Sequence, residues 1–151
     1  MTIYTGSLKF SPIFKSHCCA FGKVCEKLGF NVRYIFSKCY SWMLDEDIKS
    51  RTVFIGLTKG IFSMLLDVFN PLNYLRVLHA FKQCPPSHVY IHNYHLLNHF
   101  IAKLCKLVDA SFIYHVHEPY VERKHAHGKF APTVLNTYEA LQSILLKDTT
   151  I

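Results

Sequence analysis

Two imidazoles and a carboxylate arrive together in "YHVHEPY", residues 114–120, where His115, His117 and Glu118 close an apolar run before Pro119. A second group, His92, Asn93, Tyr94 and His95, ends the run "HVYIH" in the same way. Three chemistries suit such groups: metal ligation, proton transfer or hydrogen bonding to a substrate, and satisfied polar contacts within a core. Metal is the least favoured. A zinc site needs three or four converging ligands, and no HExxH or Cys/His finger spacing occurs among the 10 histidines. A hydrolase using His117 and Glu118 as a base pair lacks a nucleophile at matching spacing. His115 and His117 are two apart, so on a strand they share a face, with His117 nearer the strand end.

Phosphate chemistry has its own candidates. Neither GxGxxG nor GxxxxGK[ST] is present. A helix opening near Pro12 would still offer unpaired backbone N–H groups and a positive dipole end to a phosphate, assisted by Lys9 and Lys15. The net charge of +7 favours anionic partners. Nucleic acid is not expected, because the basic residues are scattered and no recognition helix or paired stacking aromatics stand out.

The elements that must position these groups follow from periodicity. Ile3–Leu8 reads as a strand, and Ser11 and Pro12 open a helix carrying Phe14, Cys18, Phe21, Val24, Cys25 and Leu28 at helical spacing. Gly29 stops it, and Val32–Phe36 is the next strand. Ser41–Ser50 reads as an acidic loop, Arg51–Leu57 as a short strand, and Lys59–Phe69 as a short apolar helix or loop. Pro71 starts a helix to Lys82 with Leu72, Leu75, Leu78, His79 and Phe81 on its apolar stripe. After the break at Pro85–Pro86 come a strand His88–His92, a helix Asn93–Val108 and a strand Ser111–His117. Glu118–Lys129 reads as a loop and Thr133–Leu146 as a final helix. Alternating strands and helices predict an α/β, Rossmann-like, doubly wound parallel sheet. Ligands in such sheets bind outside the carboxyl ends of the strands. That rule gathers the 6–15 loop, the 92–95 turn and the 115–119 segment on one edge.

Composition bounds the rest. Half of the 151 residues are hydrophobic and 18% charged, which suits one domain with a real core. The six cysteines form no CxxC pair, and read as buried reduced thiols. No secretory signal and no apolar run long enough to span a membrane is visible, so a cytoplasmic protein is expected. "SLKFSPIFK" mixes Phe10, Ile13 and Phe14 with Lys9 and Lys15, a pattern suited to shallow contact with anionic headgroups. The apolar segment near Gly60–Phe69 is instead expected to pack against the sheet or a partner domain. "KDTTI" resembles a helix end followed by the start of a strand, so the domain is expected to be incomplete at its carboxyl end.

Order and spacing together resemble one family. A Ser-Pro helix opening runs into "KLGFNVRYIF", followed by "VYIHNYHLLNHFIAKLCKL" and "FIYHVHEPY". This is similar to the N-terminal half of a glycosyltransferase family 4 enzyme with the GT-B fold. The resemblance implies a retaining transfer of sugar from a nucleotide-sugar donor to a sugar or lipid-linked sugar acceptor. This chain would supply the acceptor-side domain, and a C-terminal GT-B domain would grip the donor. His117 would hydrogen-bond a sugar hydroxyl and support developing charge, with Glu118 and Pro119 shaping its loop. His92, Asn93, Tyr94 and His95 would line the acceptor side. No metal or other cofactor is implied. One departure stands out: the family's Gly-Gly pair before the first helix is absent, and Phe14, Lys15 and Ser16 stand in that stretch. Lys15 could replace backbone approach with a charge. The alternative reading is a non-catalytic Rossmann-like module that binds a nucleotide or an anionic partner.

Overall fold

The computed structural model describes residues 1–8, 12–56, 66–92 and 95–115. Five strands form one all-parallel sheet: β1 (Thr2–Ser7), β2 (Asn31–Ser37), β3 (Thr52–Ile55), β4 (His88–His92) and β5 (Ser111–His115). Their spatial order is β3-β2-β1-β4-β5. The helices are α1 (Pro12–Lys27), α2 (Glu46–Ser50), α3 (Pro71–Gln83) and α4 (Leu96–Leu107). This is the expected Rossmann-like doubly wound arrangement. The direction of winding reverses between β1 and β4, which are hydrogen-bonded neighbours.

The two faces of the sheet are covered by different helices because side chains alternate along each strand. Ile3, Val32, Tyr34 and Phe36 pack with Cys18 and Cys25 of α1, and Ile48 of α2 joins the same cluster. Tyr4, Ile35, Ile55 and Ile91 pack on the other face with Phe81 of α3 and Ile101 of α4. Burying a side chain such as Phe81 contributes roughly 2 kcal/mol. No disulfide joins the six cysteines, and Cys18, Cys19, Cys25 and Cys105 are buried. Burial pushes the Cys105 thiol up to about 12, so it behaves as a small apolar group.

The ends of the helices have local causes. Gly29 has φ 85°. The Gly29 N–H donates to Glu26 O at 2.9 Å and the Phe30 N–H to Cys25 O at 3.1 Å. This paired closure needs a residue that tolerates positive φ. Pro71 sits in the first turn of α3, and Asn70 caps that helix by accepting from the Leu72 N–H at 3.1 Å.

Four expectations from periodicity are corrected. The 41–50 stretch is not all loop: a 3-10 turn (Lys38–Tyr40) precedes it and α2 occupies its end, with Ile48 buried. Val24 of α1 and Leu28 just beyond its end are exposed, and the buried face is Cys18, Cys19, Gly22 and Cys25. Leu72, Leu75 and His79 of α3 face solvent, and Asn73, Val77, Ala80 and Phe81 are buried. Asn73 goes inward because it serves two backbone groups. Its Oδ1 accepts from the Gly56 N–H at 3.1 Å and its Nδ2 donates to Asp67 O at 2.9 Å. The 93–108 helix begins only at Leu96, because His95 is its extended N-cap. The Lys59–Phe69 reading lies largely outside the described residues, although 66–69 is helical. The Glu118–Lys129 loop and Thr133–Leu146 helix lie outside them entirely. No described helix is long and apolar enough to cross a membrane.

Gly22 sets the height of α1 above the sheet. A Cβ there would stand 2.3 Å from Tyr34 Oη, and that hydroxyl is buried with no hydrogen-bond partner. Gly22→Ala is therefore expected to destabilise the fold by about 1–3 kcal/mol in urea titration. Tyr34→Phe alone is expected to leave stability unchanged or raise it, since it removes an unpaired buried hydroxyl. The double variant should recover part of the Gly22→Ala loss. Strictly additive effects would contradict the contact.

Candidate site at the carboxyl edge of the sheet

β1, β4 and β5 all end at one edge, and register brings their last residues into one row. Ser7 pairs with His92, and His92 pairs with His115. Because residues in register share a face, all three side chains lie on the face covered further along by α1. Residues two positions earlier add Tyr90 and Ile113 to the same face. α1 starts just beyond β1 and brings His17 over this row.

The result is an aromatic and imidazole cluster. The His17 and His92 rings are 6.2 Å apart, and His92 and His115 are 5.0 Å apart. Phe21 of α1 stacks on Tyr90 at 4.5 Å, and Tyr90 meets His92 edge-on at 4.7 Å. Ser7 and His92 are buried, whereas Ile113 is 45% exposed. The cluster therefore has a dry floor and an open side.

Tyr90 Oη and His115 Nδ1 share a short hydrogen bond. Burial raises the Tyr90 phenol above its ordinary value, and the nearby Cys18 adds to the rise. The phenol thus keeps its proton, and its oxygen donates to Nδ1 or accepts from Nδ1–H according to the tautomer of His115. Imidazole nitrogens bring both hydrogen-bond donors and acceptors to this edge. Among the described residues no group of three or more His, Cys, Asp or Glu is placed to hold a metal ion.

His95 does a different job from the other histidines. It is 2% exposed. Its Nδ1 accepts from the Leu97 N–H at 3.2 Å, which caps α4. Burial pushes its pKa down to about 4, with Asp67 pulling weakly the other way. His95 thus positions α4 behind the site rather than facing its open side.

The sequence-predicted residues divide as follows. His92 joins the cluster. Lys15 and Ser16 stand in the second turn of α1 beside His17, at the same edge. Lys15 is half-buried and its charge acts on the Cys19 thiol, opposing the rise that burial causes. Ser16 is exposed and its Oγ donates to Pro12 O at 3.1 Å within the helix. Asn93, Tyr94, His117, Glu118 and Pro119 lie outside the described residues. Sequence reasoning missed Ser7, His17, Phe21 and Tyr90. Ser7 and Tyr90 were within its reach, since the terminal residue of β1 and the i−2 neighbour of His92 must share that face. His17 and Phe21 needed the rotation of α1 about its axis.

No family model matches the chain, and no curated protein matches its sequence.

The His95 shift makes stability acid-sensitive. The ring stays neutral in the fold down to about pH 4, while an unfolded His takes a proton near its ordinary value of 6.5. The unfolded state therefore binds more protons between those pH values, and stability falls as pH drops through that window. The full effect approaches about 3 kcal/mol. His95→Asn keeps a capping side chain and removes the titration. Urea titrations at pH 7 and pH 5 should show a smaller acid loss in the variant, by about 2 kcal/mol. Equal losses in both proteins would contradict the assignment.

Proposed function

We propose that this chain is the acceptor-side domain of a retaining sugar transferase that uses a nucleotide-sugar donor. The observation that carries the reading is the row Ser7, His92 and His115 with His17 above it, at the switch point between β1 and β4. Ligands of doubly wound sheets collect at that point. Imidazole donors and acceptors suit sugar hydroxyls, and the rings of Tyr90 and Phe21 offer an apolar wall to the C–H faces of a pyranose. The similarity of "VYIHNYHLLNHF" and "FIYHVHEPY" to the family 4 pattern supports the same reading.

In this proposal His117 touches the transferring sugar and Glu118 and Pro119 shape its loop. Asn93 and Tyr94 join His92 on the acceptor side, and Lys15 and Ser16 contribute from α1. The donor diphosphate is handled by helix N-termini and basic side chains, chiefly on a second GT-B domain. Turnover then needs both domains, and the acceptor-side domain alone binds sugar without transferring it. Docking at a membrane through the 9–15 segment would give access to a lipid-linked acceptor.

Heat-shift titration separates this from the nucleotide-module alternative. Free sugars and nucleotide sugars should each raise Tm by a few degrees at saturation. Phe in place of His115 and Ala in place of the exposed His17 should each abolish the sugar-dependent part. Stabilisation by nucleotides alone, with no dependence on the sugar, would favour the binding module instead.

A further inference from the structure

A second cleft lies on the opposite face of the sheet, along the edge formed by β3, with a volume of about 460 Å³. β2, β3 and α3 line it. Its charged lining is Arg33, Lys38, Arg51 and Arg76, with His79 beside them, and no carboxylate appears among its lining residues that are described. Arg51 is already neutralised. It pairs with Glu26, and its Nη2 lies 2.6 Å from Asp47 Oδ2. Arg33, Lys38 and Arg76 have no such carboxylate partner among the described residues.

Arg33 is the most informative of them. It stands in register with Tyr4, on the face that α3 covers. Tyr4 Oη donates to Ala80 O and Cys84 O, each at 3.0 Å, which fixes α3 against the strand beside Arg33. Arg33 Nε is buried and makes no hydrogen bond. A buried guanidinium N–H without an acceptor is unfavourable, and an anion entering the cleft would remove that penalty. Arg76, exposed on α3, reaches the β3 carbonyl of Phe54 at 3.4 Å and so overhangs the cleft mouth.

We infer that this cleft binds the phosphate groups of a ligand carrying at least two negative charges, held by Arg33 and Arg76 with Lys38 alongside. Planar guanidinium forks match phosphate oxygens two at a time. Unpaired like charges in one concave site raise its positive potential, and an anion of matching charge relieves their repulsion. The cleft does not depend on the sugar-transfer reading, because it shares no residue with the histidine cluster. The phosphate could belong to a soluble oligophosphate or to a lipid headgroup, and the same arginines would serve either.

The test uses the full chain and inorganic pyrophosphate in calorimetric titration, with Arg33→Gln and Arg76→Gln as variants whose circular dichroism is checked first. The native chain should bind pyrophosphate with affinity that falls steeply as salt rises. Each variant should bind at least about tenfold more weakly. Arg76 is exposed, so its variant keeps the test decisive even where Arg33→Gln disturbs the strand. Flotation with vesicles containing phosphatidic acid forms the second arm. Vesicle binding that needs both arginines and is competed by pyrophosphate would support the site with a lipid source. Absence of pyrophosphate binding by the native chain, or binding unchanged in a folded Arg76→Gln variant, would overturn the inference.

Discussion

The central strand β1 is the constraint on which the rest of the structure depends. It is hydrogen-bonded to β2 on one edge and β4 on the other. Tyr4, Thr5 and Ser7 are all fully buried. A strand buried on both faces must supply a useful group to each. Tyr4 does this on one side, where its hydroxyl bonds two carbonyls at the end of α3. Ser7 does it on the other, beneath α1 and in register with His92. The reversal of winding on either side of β1 then places the ends of β1 and β4 together, which creates the cleft edge where His92 stands.

Two features of opposite chemistry sit on opposite faces of this sheet. One is a row of imidazoles and aromatic rings at the carboxyl edge. The other is a cationic cleft along the outer strand. The excess of positive charge is therefore partly local. Arg51 ties its share to Glu26 and Asp47, while Arg33 and Arg76 leave theirs facing the cleft.

Much of the fold was legible because its signals were local. Pro12 and Pro71 mark helix starts, Gly29 marks a stop, and "HVYIH" is a strand bounded by Pro86 and a helix. The α/β class followed from the alternation alone. What failed was the choice of helix face. Leu72 and Leu75 are as apolar as any core residue, yet Asn73 takes the inside because its amide satisfies Gly56 and Asp67. Apolar periodicity cannot register a polar residue that is buried for its hydrogen bonds. The site was legible in part for a related reason. His92 could be found from its place at a strand end, whereas His17 and Tyr90 required the packing of α1 on the sheet. His95 looked like a ligand-facing group and is instead spent on a helix cap, a use that its spacing did not distinguish.

The central claim is that the imidazoles of His17, His92 and His115 meet a sugar at the carboxyl edge. Imidazole-selective NMR of the chain, recorded while a monosaccharide panel and then a nucleotide sugar are added, tests this most directly. The account predicts saturable shifts of those three rings with at least one sugar, while the buried His95 ring stays still. Shifts confined to other histidines, or none with any sugar, would contradict it.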